Sequence, residues 1–559
     1  MRVEAEGVAE SAWRPRDVLV AVGLTAALVG VRLWRLDASC LWFDEVFSVH
    51  AARHGWGALV DFVAVDLIHP PLFYLLLKSW IALVGSGSVW WLRLFSVLTA
   101  TAAVVPVVLL CRELRLRPRV GLVALGLMAA SGFLIQHARD VRMYSLLLLF
   151  AAGSLWLFAR FSRVDASRRH AAALFAVNLL LVYTHYYGWL LVGHELIFLL
   201  VWRRRKVKEF ALILAALVVC YSPWLWMLWQ ATAGAGKGLA QNIGWAVVPR
   251  VADIFQPYLV LHEPLRFRRN THERLVLPLN VWLTLAVFVT VYVALGWRVV
   301  GQRRMAAAAA RKSETERLRD ERGGEGGDFA LKFLIFFSTA PVVVAFLLAH
   351  ALPHSVWATR HLIIIAPVYT LLAAYALNAL RPAWLATTIK LLCACWLALA
   401  AMLWLVRQQS DVPPLWCAWE TLAHQVVETE ASSAATNEIK IYATEDLVAY
   451  HLWYALSSGG AADSVDGGRF RVARIVNLPG LVEDRSYFLP RGFDEVSVTD
   501  AGREGLRDEH FWAAFRDSNW NPEHPVLRLL SERGYEIDRR FEVTASGQKA
   551  FIVSARRRK

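Results

Sequence analysis

The sequence predicts a mainly α-helical, polytopic membrane protein of about 11 spans with a small α/β domain at its C-terminal end. Three observations carry that prediction. Of the 559 residues, 57% are hydrophobic, and the mean hydropathy is +0.41. The apolar residues are gathered into runs of about 17–25, the length that crosses a bilayer as helix. Basic clusters occupy alternate connections between the runs, which is the positive-inside pattern. The net charge of +14 is therefore a topology signal; without a continuous basic stripe it does not point to nucleic acid.

In chain order the expected spans are 18–36, 92–111, 120–138, 143–160, 171–184, 186–202, 209–229, 276–298, 330–352, 361–380 and 383–406. The first is retained as a span, because no small-x-small cleavage site follows it. The connections after the second, fourth, sixth and eighth spans hold the basic clusters: Arg112 to Arg119, Arg160 to Arg169, RRRKVK at 203–208, and the stretch 298–332. They are placed in the cytoplasm with the N-terminus, so the odd-numbered connections and the C-terminus lie outside. The 25 Trp and 15 Tyr suit two interfacial belts.

The division expected is a transmembrane catalytic domain over 1–410 and an extracytoplasmic α/β domain over 411–559. Residues 37–91 form a long first outer loop, and 299–329 a charged, Gly-rich cytoplasmic linker, helical and then disordered. The C-terminal part alternates β-like stretches (IKIYA, RVARIVN, KAFIVSA) with helix-like ones (DLVAYHLWYAL, EHFWAAF). Six cysteines show no metal spacing; Cys393 and Cys395 read as packing residues. Cys40 and Cys417 fall on the same side and read as two free thiols, with a disulfide as the lesser alternative.

The chemistry is concentrated in the first outer loop, LWFDEVFSVHAARHGW followed by VDLIHPPLFYLLLKSW. Asp44 and Glu45 stand just past the first span. Residues 45–65 carry Val49, Leu59, Phe62 and Val63 on one helical face, which reads as one helix lying flat on the membrane surface. Pro70 and Pro71 end one element and open the next, returning Asp66 and His69 over the same surface. Lone acidic residues beside a span usually just solvate it; four polar groups in one loop near the bilayer are costly unless used.

WFDE followed by DxxHPPLFY resembles the membrane glycosyltransferases of family 39, members of the GT-C superfamily that include protein O-mannosyltransferases and lipid A aminoarabinose transferases. The resemblance covers roughly residues 18–400 and is strongest over 40–150. It implies a GT-C-type fold, a polyprenyl-phosphate-linked sugar as donor, Asp44 as catalytic base, Glu45 as its acidic neighbour, and His69 with the two prolines as the HPP element. HPPLFY departs from the HPPLGK of mannosyltransferases toward the bacterial and aminoarabinose-type pattern, favouring a bacterial envelope acceptor over protein.

QHARDVRMYSL after the third span is similar to the family's ARxxRMYxL stretch. Arg139 and Arg142 stand there on the outer side, against the positive-inside rule; headgroup anchoring is the plain reading and a phosphate clamp the functional one. His137 and Tyr144 line it or simply pack. YTHYYGW offers His185 within a segment that an aromatic belt also explains. TRHLIIIAP resembles a late RYL-type element, with His361 in place of Tyr, and offers Arg360 as a second phosphate contact.

A Walker loop, HExxH and CxxC are absent, and GGEGG at 323–327 lacks a preceding strand. The sequence requires no cofactor; a divalent cation on Asp44 or Asp66 is the one it would accommodate. The chemistry expected is inverting transfer from lipid phosphate, with one base and a cationic clamp. The partners expected are the lipid-linked donor, membrane lipid and an unnamed acceptor, at the outer face of the cell membrane. A lipid or ion transporter is the alternative, and would need ionisable residues inside several spans; Lys390 is one of the few the sequence places there. A sensor or scaffold leaves the first loop unexplained.

Overall fold

The computed structural model describes residues 13–235, 246–263, 314–380, 415–431, 438–458, 469–480, 495–500 and 506–558, except positions 86, 164 and 546. Isolated helical positions are also described between 289 and 301 and between 384 and 402. The expected spans 276–298 and 383–406, with Lys390, thus fall largely or wholly outside the described residues.

Apolar runs become helices because no water competes for their backbone groups in lipid. Helix α1 (Pro15–Leu33) opens on a proline and an acidic first turn, where Asp17 accepts the Arg14 N–H at 3.0 Å. The first outer loop folds into α2 (Phe43–Arg53), α3 (Trp56–Asp66) and α4 (Leu72–Val84). The single flat helix expected over 45–65 is therefore two. The chain breaks at His54 and Gly55, and Val49, Leu59, Phe62 and Val63 are buried inside the protein instead of facing lipid. Lys78 from α4 caps the break, donating to the carbonyls of Ala52 (3.3 Å) and His54 (2.7 Å).

Helices α5 (Val89–Ala102) and α6 (Val104–Glu113) follow, then α7 (Pro118–Ala130) and α8 (Gly132–Arg139). The run 120–138, expected as one span, divides at Ser131, whose hydroxyl accepts the Leu134 N–H and caps the second helix. The next helices are α9 (Tyr144–Phe161), α10 (Arg168–Thr184), α11 (Tyr187–Trp202), α12 (Val207–Ala235) and α13 (Gln256–His262). Helix α14 (Glu314–Ala351) runs unbroken through the Gly-rich part of the linker, where disorder was expected. A 3-10 turn (Thr359–Ile365) leads into α15 (Ala366–Ala379). Among the described residues, five segments are long and apolar enough to cross a membrane: Val89–Glu113, Tyr144–Phe161, Arg204–Ala233, Phe329–Ala351 and Thr359–Ala379; α4, α7 and α11 are shorter apolar helices.

Sidedness is visible in the contacts. Arg160 and Arg163 both pair with Glu113 (3.7 and 3.0 Å), and Arg203 and Lys206 lie over the rings of Phe329 and Phe161. The connections after the second, fourth, sixth and eighth expected spans thus meet at one end, as the charge pattern required. Ionisable residues inside spans are more numerous than the sequence reading allowed. Glu195 on α11 is fully buried and accepts from Ser154 of α9 (2.6 Å) and Asn178 of α10 (2.7 Å), tying three helices together. Removing a buried polar group's partner costs about 1–3 kcal/mol. Asn178→Leu should therefore lower the detergent-measured melting temperature more than Asn178→Gln, which keeps the amide donor, and equal melting would exclude this tie.

The C-terminal part forms a six-stranded sheet in the order β3-β2-β1-β4-β6-β5, from β1 (Ile439–Ala443), β2 (Phe470–Val476), β3 (Ser497–Asp500), β4 (His510–Asp517), β5 (Tyr535–Ala545) and β6 (Gln548–Arg557). The first four strands pair in parallel and the last two antiparallel. Helices α16 (Leu415–Ala431), α17 (Asp446–Ser458) and α18 (Pro525–Glu532) accompany it. EHFWAAF, expected as helix, is the central strand β4. It is buried on both faces, so its apolar residues run together without the alternation that marks a half-exposed strand.

Cys40 and Cys417 are joined in a disulfide, their Cα atoms 5.4 Å apart, against the expectation of two free thiols. The fold brings the start of the first loop against α16, a proximity that 377 residues of intervening sequence conceal. Removing such a bond costs about 2–5 kcal/mol. Cys40→Ser and Cys417→Ser should each lower the melting temperature, and the double variant no further; additive losses would show that the two residues act separately.

Candidate active site

The site begins with how α2 is started. Trp42 caps it, and Glu45, three residues on, reaches back to accept the Trp42 N–H at 3.0 Å. The same carboxylate takes Arg93 of α5 through two bonds, Nη2 to Oε2 at 2.9 Å and Nε to Oε1 at 3.2 Å, and accepts the Val141 N–H at 2.8 Å. Arg93 also donates to the carbonyls of Leu36 (2.9 Å), Ser39 (2.8 Å) and Cys40 (2.8 Å). Its five N–H donors are thereby engaged, by one carboxylate and three carbonyls. Glu45 is 1% exposed and Arg93 6%, so the pair fixes the entry to the loop from inside the protein.

With Glu45 held there, Asp44 is placed one residue earlier on the helix, and its Oδ2 lies 3.9 Å from Nη1 of Arg360. Arg142, 4% exposed, is set by a tight turn in which its N–H donates to the Asp140 carbonyl at 2.7 Å. Its Nη1 donates to the Asp44 carbonyl and to Ser48 Oγ, both at 3.2 Å, and reaches Tyr74 Oη at 3.5 Å; Nη2 lies 3.5 Å from His69 Nδ1. Arg360 rides over the Tyr144 ring, 5.9 Å from its centroid.

Three imidazoles close the site. The rings of His69 and His185 are 5.2 Å apart and those of His185 and His361 4.6 Å. His185 Nδ1 accepts the Tyr187 N–H at 3.1 Å, which leaves its proton on Nε2. His69 Nδ1 likewise faces a donor, Arg142. Among the described residues, neither Nε2 has a hydrogen-bond partner, nor does the buried Tyr144 hydroxyl. Burial first, and Arg142 second, hold His69 well below the usual imidazole range and bring His185 down to about 3, so both are neutral. One nitrogen from each of the three rings lies within 4.8 Å of the others, close enough to consider a metal ion. Two guanidinium groups beside them set the electrostatics against a cation and in favour of an anion.

Of the residues singled out in sequence, Asp44, Arg142, His69, Tyr144, His185 and Arg360 are brought together here. Asp66 is buried at the end of α3, and Leu67 after it takes the left-handed conformation (φ 62°), turning the chain toward His69. Glu45 is adjacent but bound into the Arg93 cluster. Arg139 does not stand beside Arg142 as a clamp; it is directed to the Arg35 carbonyl at 2.6 Å, because the 140–142 turn separates the two side chains. His137 bonds Asp140 at 3.1 Å behind the turn. Sequence reasoning missed Arg93, Ser48, Tyr74 and the inward placement of His361. An arginine inside the apolar run VWWLRLF was the available signal for the first.

Arg93→Ala would leave Glu45 buried without its cation, a loss of about 3–5 kcal/mol. Arg93→Ala should therefore fail to fold or lose most of its thermal stability, whereas Arg93→Lys should recover only part. A melting temperature within a degree of the parent for Arg93→Ala would refute this.

Residues 68–229, less than a third of the chain, match the family model for dolichyl-phosphate-mannose-protein mannosyltransferase. The matched stretch includes His69, Arg142, Tyr144 and His185 and excludes Asp44, Glu45 and Arg360. No curated protein matches the chain by sequence. Among solved structures, the crystal structure of ArnT from Cupriavidus metallidurans bound to undecaprenyl phosphate is 14% identical with a TM-score of 0.42, over 95% of this chain and 97% of that one. The Archaeoglobus fulgidus oligosaccharyltransferase in complex with Zn and sulfate is 14% identical with a TM-score of 0.41, over 79% of this chain and 61% of that one. The family match begins within the DxxHPP element, one of the two first-loop motifs that carry the resemblance read from the sequence.

Proposed function

We propose that this protein transfers a sugar from a polyprenyl-phosphate-linked donor to an acceptor of the cell envelope, with inversion at the anomeric carbon. One observation carries the reading: a buried carboxylate, Asp44, lies among the donors of Arg142, Arg360, His69, His185 and Tyr144. Such a set suits a phosphate leaving group, and the carboxylate suits the proton of an attacking hydroxyl.

In this reading Asp44 takes the acceptor proton as its oxygen attacks the anomeric carbon, and the phosphate departs with the bonding electrons into the donor cluster. Arg142 and Arg360 neutralise the charge it gains. Glu45 positions Asp44 through the Arg93 cluster and touches neither reactant. Asp66 and His69 shape the pocket, and direct displacement needs no second carboxylate. The site is assigned to the extracytoplasmic face of the cell membrane. Two observations support this side: the basic connections meet at the opposite end, and a disulfide beside the first loop suits an oxidising compartment. A transporter is disfavoured, since Glu195, the buried carboxylate on α11, is held at both oxygens by neighbouring helices.

Asp44→Asn keeps size and removes the base. Turnover with a polyprenyl-phosphate sugar, read as freed lipid phosphate, should fall about 10²–10⁴-fold while donor affinity is retained. Near-parent turnover in an intact Asp44→Asn protein would end this mechanism. Arg142→Ala should cost about 10²–10³-fold, as losing a charge-stabilising donor does, and Arg142→Lys should restore part of it. Parent-like rates with Arg142→Ala would exclude the arginine from the leaving-group site.

A further inference from the structure

A second cluster lies away from the pocket, where the C-terminal part meets the first loop. His50 on α2, His54 at its C-cap and Glu495 just before β3 each offer one ligand atom, and these lie within 4.8 Å of one another. His50 Nε2 is 3.0 Å from Glu495 Oε1. His54 Nδ1 lies 3.0 Å from the His50 carbonyl, which can only accept. That bond puts the proton on Nδ1 and leaves the lone pair on Nε2, the arrangement that a metal-bound histidine takes when a backbone carbonyl holds its other nitrogen.

We propose that His50, His54 and Glu495 bind a divalent transition metal of the zinc class, which clamps the C-terminal domain onto the helix that carries Asp44. Two imidazoles four residues apart on one helix and a carboxylate from elsewhere supply borderline nitrogen ligands and one negative charge, and a water completes the tetrahedron. Ligand atoms in such a site stand about 3.4 Å apart, from metal–ligand bonds of about 2.1 Å. His54 and Glu495 are the two less buried members of the cluster. Around them the rings are fixed: His50 packs edge-on against Trp453 of α17, His54 stacks on Phe62, and Arg53 lies over Tyr454.

The site is independent of the transfer chemistry, and its test uses Zn²⁺ alone. The full-length protein, stripped with a chelator, is titrated with Zn²⁺ by calorimetry, and its melting temperature is followed. The parent should bind one ion at this cluster and melt higher with it. His54→Ala and Glu495→Gln should each weaken that binding by more than about 10–100-fold, the loss caused by removing even an outer-shell partner, and abolish the thermal shift. Glu495 is a third exposed, so its Gln variant should fold whatever its role. His185→Ala tests the other histidine cluster and should leave this ion in place. Unchanged Zn²⁺ affinity in Glu495→Gln and His54→Ala, or loss only in His185→Ala, would overturn the proposal.

Discussion

The arrangement of the site depends on the ion pair between Glu45 and Arg93. A charged pair inside a membrane protein is costly to desolvate, and it holds only if its remaining hydrogen-bonding capacity is met. Here it is met by the Trp42 and Val141 N–H groups on one side and three carbonyls of residues 36–40 on the other. One pair thereby joins the end of the first span's connection, the start of α2, the helix α5 and the turn before Arg142. Asp44 and Arg142 are each one residue from a group in that cluster, so their separation is set by backbone and not by long side chains.

Division of labour between two adjacent carboxylates follows. Glu45 is turned inward, into a cation with no donor left to offer a reactant. Asp44 is turned toward Arg360 and the imidazoles. Adjacent positions on a helix point about a hundred degrees apart, which is enough to send one into the scaffold and the other into the pocket.

What was legible in sequence follows from what is local. Asp44, His69, Arg142, His185 and Arg360 could be picked out because each stands at a span end or in the first outer loop, where polar residues are conspicuous against apolar neighbours. The sidedness of the connections was legible for the same reason. Contacts between distant segments were not: Arg93 looked like one polar residue in a span, and Cys40 and Cys417 read as two free thiols, with the disulfide the lesser alternative. Arg139 and Arg142 seemed a pair because they are close in the chain, yet a turn of three residues sends them to different partners. Strand β4 failed on a different ground, since a segment covered on both faces loses the alternation that identifies it. The runs IKIYA, RVARIVN and KAFIVSA, rich in β-branched residues, were recognised as strands, whereas the more exposed β3 and β5 were not.

The disulfide between Cys40 and Cys417 bears on biosynthesis. A chain made and inserted from its N-terminus exposes Cys40 soon after the first span, while Cys417 emerges only after the segments between them have been delivered. The first loop must therefore wait as a free thiol through most of translation, and the covalent seal comes among the last events. A ribosome-stalled or truncated chain lacking α16 would carry its pocket residues yet never receive that seal. Delivery of α16 and locking of the loop are in this way coupled.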